Sequence, residues 1–157
     1  MRTSTSSMSL ALTALAVALA LAACASGSAR AAEGDGIQVT ILLYSGRPNP
    51  TFTLTAEQAE RVRQLVAAAQ PDPGFRGGSV LPSILGYNGL LVEGGAAGGQ
   101  DLAVYGGRIE IQGKEGKRVV SDGGALESFL LEAAAQSKAL AAEELRVIQA
   151  SRDTQKS

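Results

Sequence analysis

The sequence predicts an α+β fold, a two-layer sandwich in which a mainly antiparallel sheet of four or five strands carries two helices on one face. Two stretches, 56–69 and 123–150, show the 3.6-residue apolar period of amphipathic helices. Several short strand-like segments are separated by glycine-rich connections of hairpin length. Because a sheet buries an apolar face only against a second layer, the helices are expected to supply that layer. A small, partly open barrel plugged by the last helix is the alternative.

The first strand is predicted over 37–44, where side chains alternate in the two-residue period of a strand. One face carries Ile37, Val39, Ile41 and Leu43. The other face is partly apolar, which indicates a central strand. A loop is expected at 45–50, because Pro48 and Pro50 forbid helix and stiffen the backbone.

The first helix is predicted to begin after Thr55, which has Gln58 three residues later in the spacing of a capping box. Its apolar stripe consists of Ala59, Val62, Leu65, Val66 and Ala69. The Pro-Asp-Pro-Gly sequence at 71–74 ends it. The residues from 71 to 89 combine glycine and proline with several large apolar side chains, which predicts an irregular segment folded over the core.

Four further strands are predicted, at 90–93, 101–105, 108–112 and 117–121. The connections between them have the composition and length of hairpin loops. The first connection, 94–99, is dense in glycine but fits neither the dinucleotide fingerprint nor the P-loop spacing, so no nucleotide cofactor is predicted.

A long helical pattern, opened by Ser121 or Asp122, follows the strands. One straight helix over 123–150 would measure about 42 Å, more than the roughly 35 Å diameter of a domain of this size. We therefore expect a break near Ser137 and Lys138, or a distal half that projects from the body. The single domain is predicted to span 37–150, with its core in 37–136, a distal helical segment at 138–150 and a polar tail at 151–157.

The N-terminus resembles the leader of a bacterial prolipoprotein. Arg2 precedes an apolar run over 10–23, and Leu21-Ala22-Ala23-Cys24 matches a lipobox. The resemblance implies that residues 1–23 are a signal peptide that is removed, and that Cys24, the single cysteine, carries palmitate-type acyl chains. Residues 24–36, small and polar, would form a flexible tether.

Two other interpretations of the leader stay open. The residues 23–25 also fit the A-x-A pattern of ordinary secretory cleavage, which would discard the cysteine. Alternatively, residues 8–25 could remain as a membrane span, although they are at the short limit for one. The lipoprotein interpretation places the protein in the cell envelope, anchored to the membrane with its domain on the non-cytoplasmic side. It would be at the outer membrane if the host has one.

Composition argues against several function classes. Fourteen Lys and Arg residues oppose fifteen Asp and Glu residues, giving a net charge of −1, and this balance argues against a nucleic-acid partner. The chain has no histidine, so the commonest general base and zinc ligand is missing. No catalytic residue, metal site or cofactor is therefore predicted, and an enzyme is disfavoured. A hydrolase that uses Glu110 and Glu115 across a hairpin is the least favoured function.

The candidate binding residues are Tyr44, Arg47 and Asn49, in the loop after the first strand. In the structural interpretation, Asn49 bonds to nearby backbone and Arg47 satisfies loop carbonyls or a carboxylate. In the recognition interpretation, a stiff loop presents Arg47 and Asn49 to a carboxylate, a phosphate or a partner backbone at little cost in entropy.

The sequence Ser-Gly-Arg-Pro-Asn-Pro at 45–50, with Leu-Gly-Tyr-Asn-Gly at 85–89, resembles a scattered group of small uncharacterised bacterial secreted proteins and lipoproteins. The resemblance supports a single domain and transfers no function to this chain. The favoured function is a non-catalytic envelope lipoprotein that binds a partner protein or a small anionic group. The alternative is an inhibitor-like protein that presents Arg47 and Pro48 to the cleft of another protein.

Overall fold

The structure is a computed structural model that describes residues 33–155, apart from residues 97 and 115. The predicted signal peptide, Cys24 and most of the predicted tether lie outside the described residues. The described part belongs to one compact unit.

Within the residues that the structure describes, seven strands form one open antiparallel sheet with the order β2-β1-β4-β5-β6-β7-β3. The strands are β1 (Glu33–Ile41), β2 (Thr51–Thr55), β3 (Gln70–Pro71), β4 (Leu90–Glu93), β5 (Asp101–Tyr105), β6 (Arg108–Gly113) and β7 (Gly116–Ser121). The helices are α1 (Ala56–Ala68), α2 (Ala125–Gln136) and α3 (Ala142–Gln155). The α+β class is confirmed, whereas the predicted four or five strands and two helices were too few.

The additional strands lie at the two edges of the sheet. β2 pairs with β1 and buries Phe52 and Leu54 while its threonines stay exposed. β3 is two residues long and pairs with β7. β1 itself begins at Glu33, so the last four residues of the predicted tether belong to the sheet.

The inner face of the sheet, as we call the face that α1 and α2 cover, holds the core. One row across four strands consists of Val39, Val92, Leu102 and Ile111, all buried. On the opposite face of β1 and β2, Gln38 and Thr53 are exposed. Because α1 packs against both strands and against α2, the two helices lie together on the inner face.

The capping box that begins α1 is confirmed. Thr55 Oγ1 accepts a hydrogen bond from the backbone N–H of Gln58 at 3.2 Å, and Gln58 Oε1 accepts one from the N–H of Thr55 at 3.0 Å. The two bonds satisfy two N–H groups that a helix start otherwise leaves without partners.

The predicted break in the last helical pattern is also confirmed. α2 ends at Gln136, and Lys138 adopts a left-handed φ of 59° before α3 begins. The structure differs from the predicted boundaries beyond this point, because Leu140 and Ile148 are buried in the core and the helix continues to Gln155. The segment 138–150 is therefore part of the domain core, and the first five residues of the predicted polar tail are helical.

The outer face of the sheet is covered in part by the irregular segment from 72 to 84, which confirms that this segment is not a free linker. Glu110 points to this face, is buried, and accepts a hydrogen bond from the backbone N–H of Val80 at 3.0 Å. Lys117 lies 3.4 Å from the same carboxylate and also donates to the carbonyl of Gly78.

The strand registers show which residues lie at each of the two ends of the sheet. β1 starts at one end, which we call the entry end, where Gln38 pairs with Glu93. Toward the opposite, distal end, the last row that crosses all five strands from β1 to β7 consists of Ile41, Leu90, Val104, Ile109 and Val120. The loop after β1, the segment before β4, the β5–β6 turn and the start of α2 all follow or precede a member of this row. These four segments therefore gather at the distal end.

Candidate binding site

The loop after β1 is closed by one of the predicted site residues. Asn49 Oδ1 accepts hydrogen bonds from the backbone N–H groups of Leu43 at 3.0 Å and Tyr44 at 2.8 Å. Such a bond from a side-chain amide to nearby backbone fixes a turn. Asn49 thus shapes the loop through its side-chain oxygen.

Tyr44 and Arg47 form a stack that is tied to α3. The guanidinium carbon of Arg47 lies 3.4 Å from the centre of the Tyr44 ring, a cation–π contact on the surface. The Tyr44 hydroxyl donates to Glu144, whose second oxygen accepts from the N–H of Ala141 at 2.7 Å. The hydrogen bond to Glu144 is the main cause that raises the pKa of Tyr44, and it lowers the pKa of Glu144. Arg47 thus contacts the Tyr44 ring, and its charge is a further, smaller cause of the lowered pKa of Glu144.

The segment before β4 presents an apolar tip beside this loop. Leu85 is 92% exposed and Ile84 is 49% exposed. The Asn88 side chain holds the tip, accepting from the N–H of Ile84 at 3.0 Å and donating to its carbonyl at 2.9 Å. The backbone of Leu42 bonds to Gly89 and Asn88, so the tip and the loop after β1 are neighbours. An ordered loop that exposes two large aliphatic side chains is typical of a contact surface.

A buried polar network lies behind the tip. Tyr87 is fully buried, and its hydroxyl donates to Glu127 Oε1 at 2.8 Å. Burial is the main cause that raises the pKa of Tyr87. Glu127, on α2, is buried as well, and its Oε1 lies 3.8 Å from Nε of Arg152 on α3. Arg152 Nη2 donates to Ser128 Oγ at 2.8 Å. The network joins the segment before β4 to α2 and α3.

This network forms one wall of a cleft of about 570 Å³ at the distal end. The other walls are the β5–β6 turn, the start of α2 and the segment around Phe75. The turn lies directly against α2, because a Cβ on Gly107 would be 3.1 Å from the nitrogen of Gly124. Asp122 caps α2, accepting from the N–H groups of Gly124 at 2.9 Å and Leu126 at 2.6 Å. The cleft is thus a fixed concave surface of the kind that binds small molecules.

The hydrolase interpretation pairs Glu110 with Glu115, and Glu115 lies outside the described residues. Its partner Glu110 is engaged by Val80, Lys117 and Gln112, and it anchors the segment that crosses the outer face. Over 33–155, with its two gaps, the side chains form no group of three or more His, Cys, Asp or Glu residues suited to a metal ion. No helix in this part of the chain is long and apolar enough to cross a membrane.

Sequence reasoning identified the loop after β1 but not the cleft. The cleft depends on Tyr105, Arg108, Glu127 and Arg152, which lie on four different elements. Two signals were present in the sequence. Glycine pairs at 106–107 and 123–124 flank the cleft, and Glu127 directly follows a core leucine in the apolar part of α2.

Comparison with known protein families, curated proteins and solved structures found no match to this chain.

Proposed function

We propose that this protein is a lipid-anchored envelope lipoprotein without catalytic activity, which binds a partner protein or a small anionic ligand at the distal end of its sheet. In this proposal residues 1–23 are a signal peptide and Cys24 carries the lipid. The domain lies on the non-cytoplasmic side, at the outer membrane if the host has one.

One observation carries the proposal. The chain enters the sheet at one end, and the exposed candidate binding residues lie at the other end. The chain comes from the proposed anchor into β1 at the entry end. Arg47, the Leu85 tip and the cleft all lie at the distal end. A protein anchored to display a binding surface would have this arrangement.

The chemistry of the distal end also favours binding over catalysis. The buried carboxylate of Glu127 is held by Tyr87 and Arg152, and Asp122 is occupied as a helix cap. A general acid or base must reach the proton that it transfers, and both groups instead serve the fold.

The anchor is tested by the mass of the mature protein. We expect protein from membranes to begin at an acylated Cys24 and to partition into detergent. Cys24→Ala should block lipid addition and leave the protein released or stalled as the precursor. A mature form that begins at Ser26 or later without lipid would contradict this part of the proposal.

The binding surface is tested by capture from detergent-solubilised membranes of the source cells. Leu85→Ser at the distal tip should reduce partner capture, because it removes a 92% exposed aliphatic side chain. Lys114→Ser, in the β6–β7 turn at the entry end, is the matched control and should leave capture unchanged. If Lys114→Ser abolished capture and Leu85→Ser did not, the binding surface would lie at the entry end, which would contradict the proposal.

A further inference from the structure

The distal cleft brings two arginines into one cavity. Arg108 comes from β6, with a side chain that is 48% exposed, and Arg152 comes from α3, with a side chain that is 17% exposed. Tyr105, Phe75 and Val80 supply apolar surface in the same cavity. The cleft therefore offers both apolar surface and charged donors to a small molecule.

The arginines have N–H donors beyond those that hold them in place. Asp72 accepts from Nε of Arg108 at 2.8 Å, and Ser128 accepts from Nη2 of Arg152 at 2.8 Å. The 3.8 Å separation of Arg152 Nε from Glu127 is longer than a hydrogen bond. Since each guanidinium carries five N–H donors, both can donate to a further anionic oxygen.

One carboxylate that lines the cleft, Glu127, and two that contact its lining residues, Asp72 and Asp122, are engaged in other bonds. Glu127 accepts from the hydroxyl of Tyr87, Asp72 accepts from Arg108, and both oxygens of Asp122 accept from backbone N–H groups of α2. Asp122 therefore also occupies the N–H groups at the start of α2. Both arginines are paired with a carboxylate, Arg108 with Asp72 and Arg152 with Glu127, but their remaining N–H groups are the charged donors that line the cleft, and these favour an anionic oxygen on the ligand.

We infer that the cleft binds a small organic carboxylate whose body is apolar or aromatic. The planar fork of a guanidinium matches the two oxygens of a carboxylate, and the ring of Tyr105 with Phe75 and Val80 receives the body of the ligand. This inference names the ligand class for the binding role proposed above, and it does not depend on lipid attachment.

The test uses the full-length protein in detergent and benzoate as the probe, with binding followed by ligand-observed NMR or calorimetry. Benzamide has the same ring and shape without the charge. We expect benzoate to bind in the millimolar range and benzamide about tenfold more weakly or not at all. Equal binding of the two compounds would overturn the inference, because it would show that the charge is not recognised.

Three variants locate the site. Arg108→Gln changes a half-exposed residue and should weaken benzoate binding several-fold without loss of the fold. Arg152→Lys keeps a positive charge beside Glu127 but removes the fork, and should also weaken binding. Arg118→Gln, on β7 outside the cleft, is the matched control and should leave binding unchanged.

The outcomes separate this inference from the proposed function. Benzoate binding that persists in both cleft variants would overturn the inference, and if Arg152→Lys unfolds the protein, Arg108→Gln decides alone. Partner capture that still depends on Leu85 would then leave the proposed function standing. Conversely, benzoate binding that requires Arg108, together with capture that ignores Leu85, would support the inference and contradict a protein partner at the tip.

Discussion

The bond between Tyr87 and Glu127 gives the sharpest test of the structure, because both residues are buried and lie 40 positions apart in the chain. Tyr87→Phe removes the hydroxyl and leaves the ring in place. Glu127 then retains its ion pair with Arg152, whose Nε is 3.8 Å away. A hydrogen bond to a charged group contributes about 1.5–3 kcal/mol to the free energy of unfolding. For a domain of this size that loss corresponds to a decrease in Tm of roughly 5–12 °C.

The same chemical change at Tyr44 is the matched control. Tyr44 also donates to a glutamate, Glu144, but on the surface of the domain, where water can replace the lost partner. We expect Tyr44→Phe to change Tm by no more than about 2 °C. Calorimetric or circular-dichroism melting of both variants at neutral pH measures the difference.

A double-mutant cycle then identifies the partner of Tyr87. In a Glu127→Gln background, Tyr87→Phe should cost clearly less than it costs in the wild type, because the bond to a charged acceptor is already gone. The reasoning is refuted if Tyr87→Phe lowers Tm no more than Tyr44→Phe does, or if its cost is the same in both backgrounds.

Three further predictions follow from burial, backbone geometry and charge. Truncation after Gln136 should strongly lower Tm, because it removes buried Leu140 and Ile148, worth about 1.5–3 kcal/mol each; an unchanged calorimetric transition would contradict this. Gly89→Ala should destabilise the domain far more than Gly46→Ala in urea titrations. Both have positive φ, but a Cβ at position 89 would be 2.5 Å from a backbone oxygen, whereas position 46 is open. The lowered pKa of Glu144 stabilises the fold above the unfolded-state value of about 4.3, so the Tm difference between wild type and Glu144→Gln should shrink as the pH falls below that value; a constant difference would refute it.

The parts of the fold that local patterns determine were predictable from sequence. The capping box at Thr55 needs only two residues three positions apart, and the strands β4 and β5 have their predicted bounds. β2 also has a local signal, the alternation of threonine with Phe52 and Leu54 over 51–55, but it is short, follows two prolines and was not predicted as a strand. β3 is two residues long and exists only because β7 lies beside it.

The candidate site likewise has contacts that the local sequence predicts and contacts that it does not. Asn49 could be assigned a role in shaping its loop from sequence, because its backbone partners lie five and six residues away. The contact of Tyr44 with Glu144 spans 100 residues, and that of Arg152 with Ser128 spans 24. Such contacts depend on how the helices pack on the sheet, and no short motif records them.

The placement of α3 connects the two parts of the distal end. Near its start, Glu144 accepts a hydrogen bond from Tyr44, which carries the Arg47 stack. Near its end, Arg152 reaches Ser128 and Glu127 in the wall of the cleft. Ile148 lies between these contacts and is buried in the core, so the helix is fixed to the domain at the position that both contacts require. The segment that the sequence set apart from the core therefore positions both the loop after β1 and the cleft.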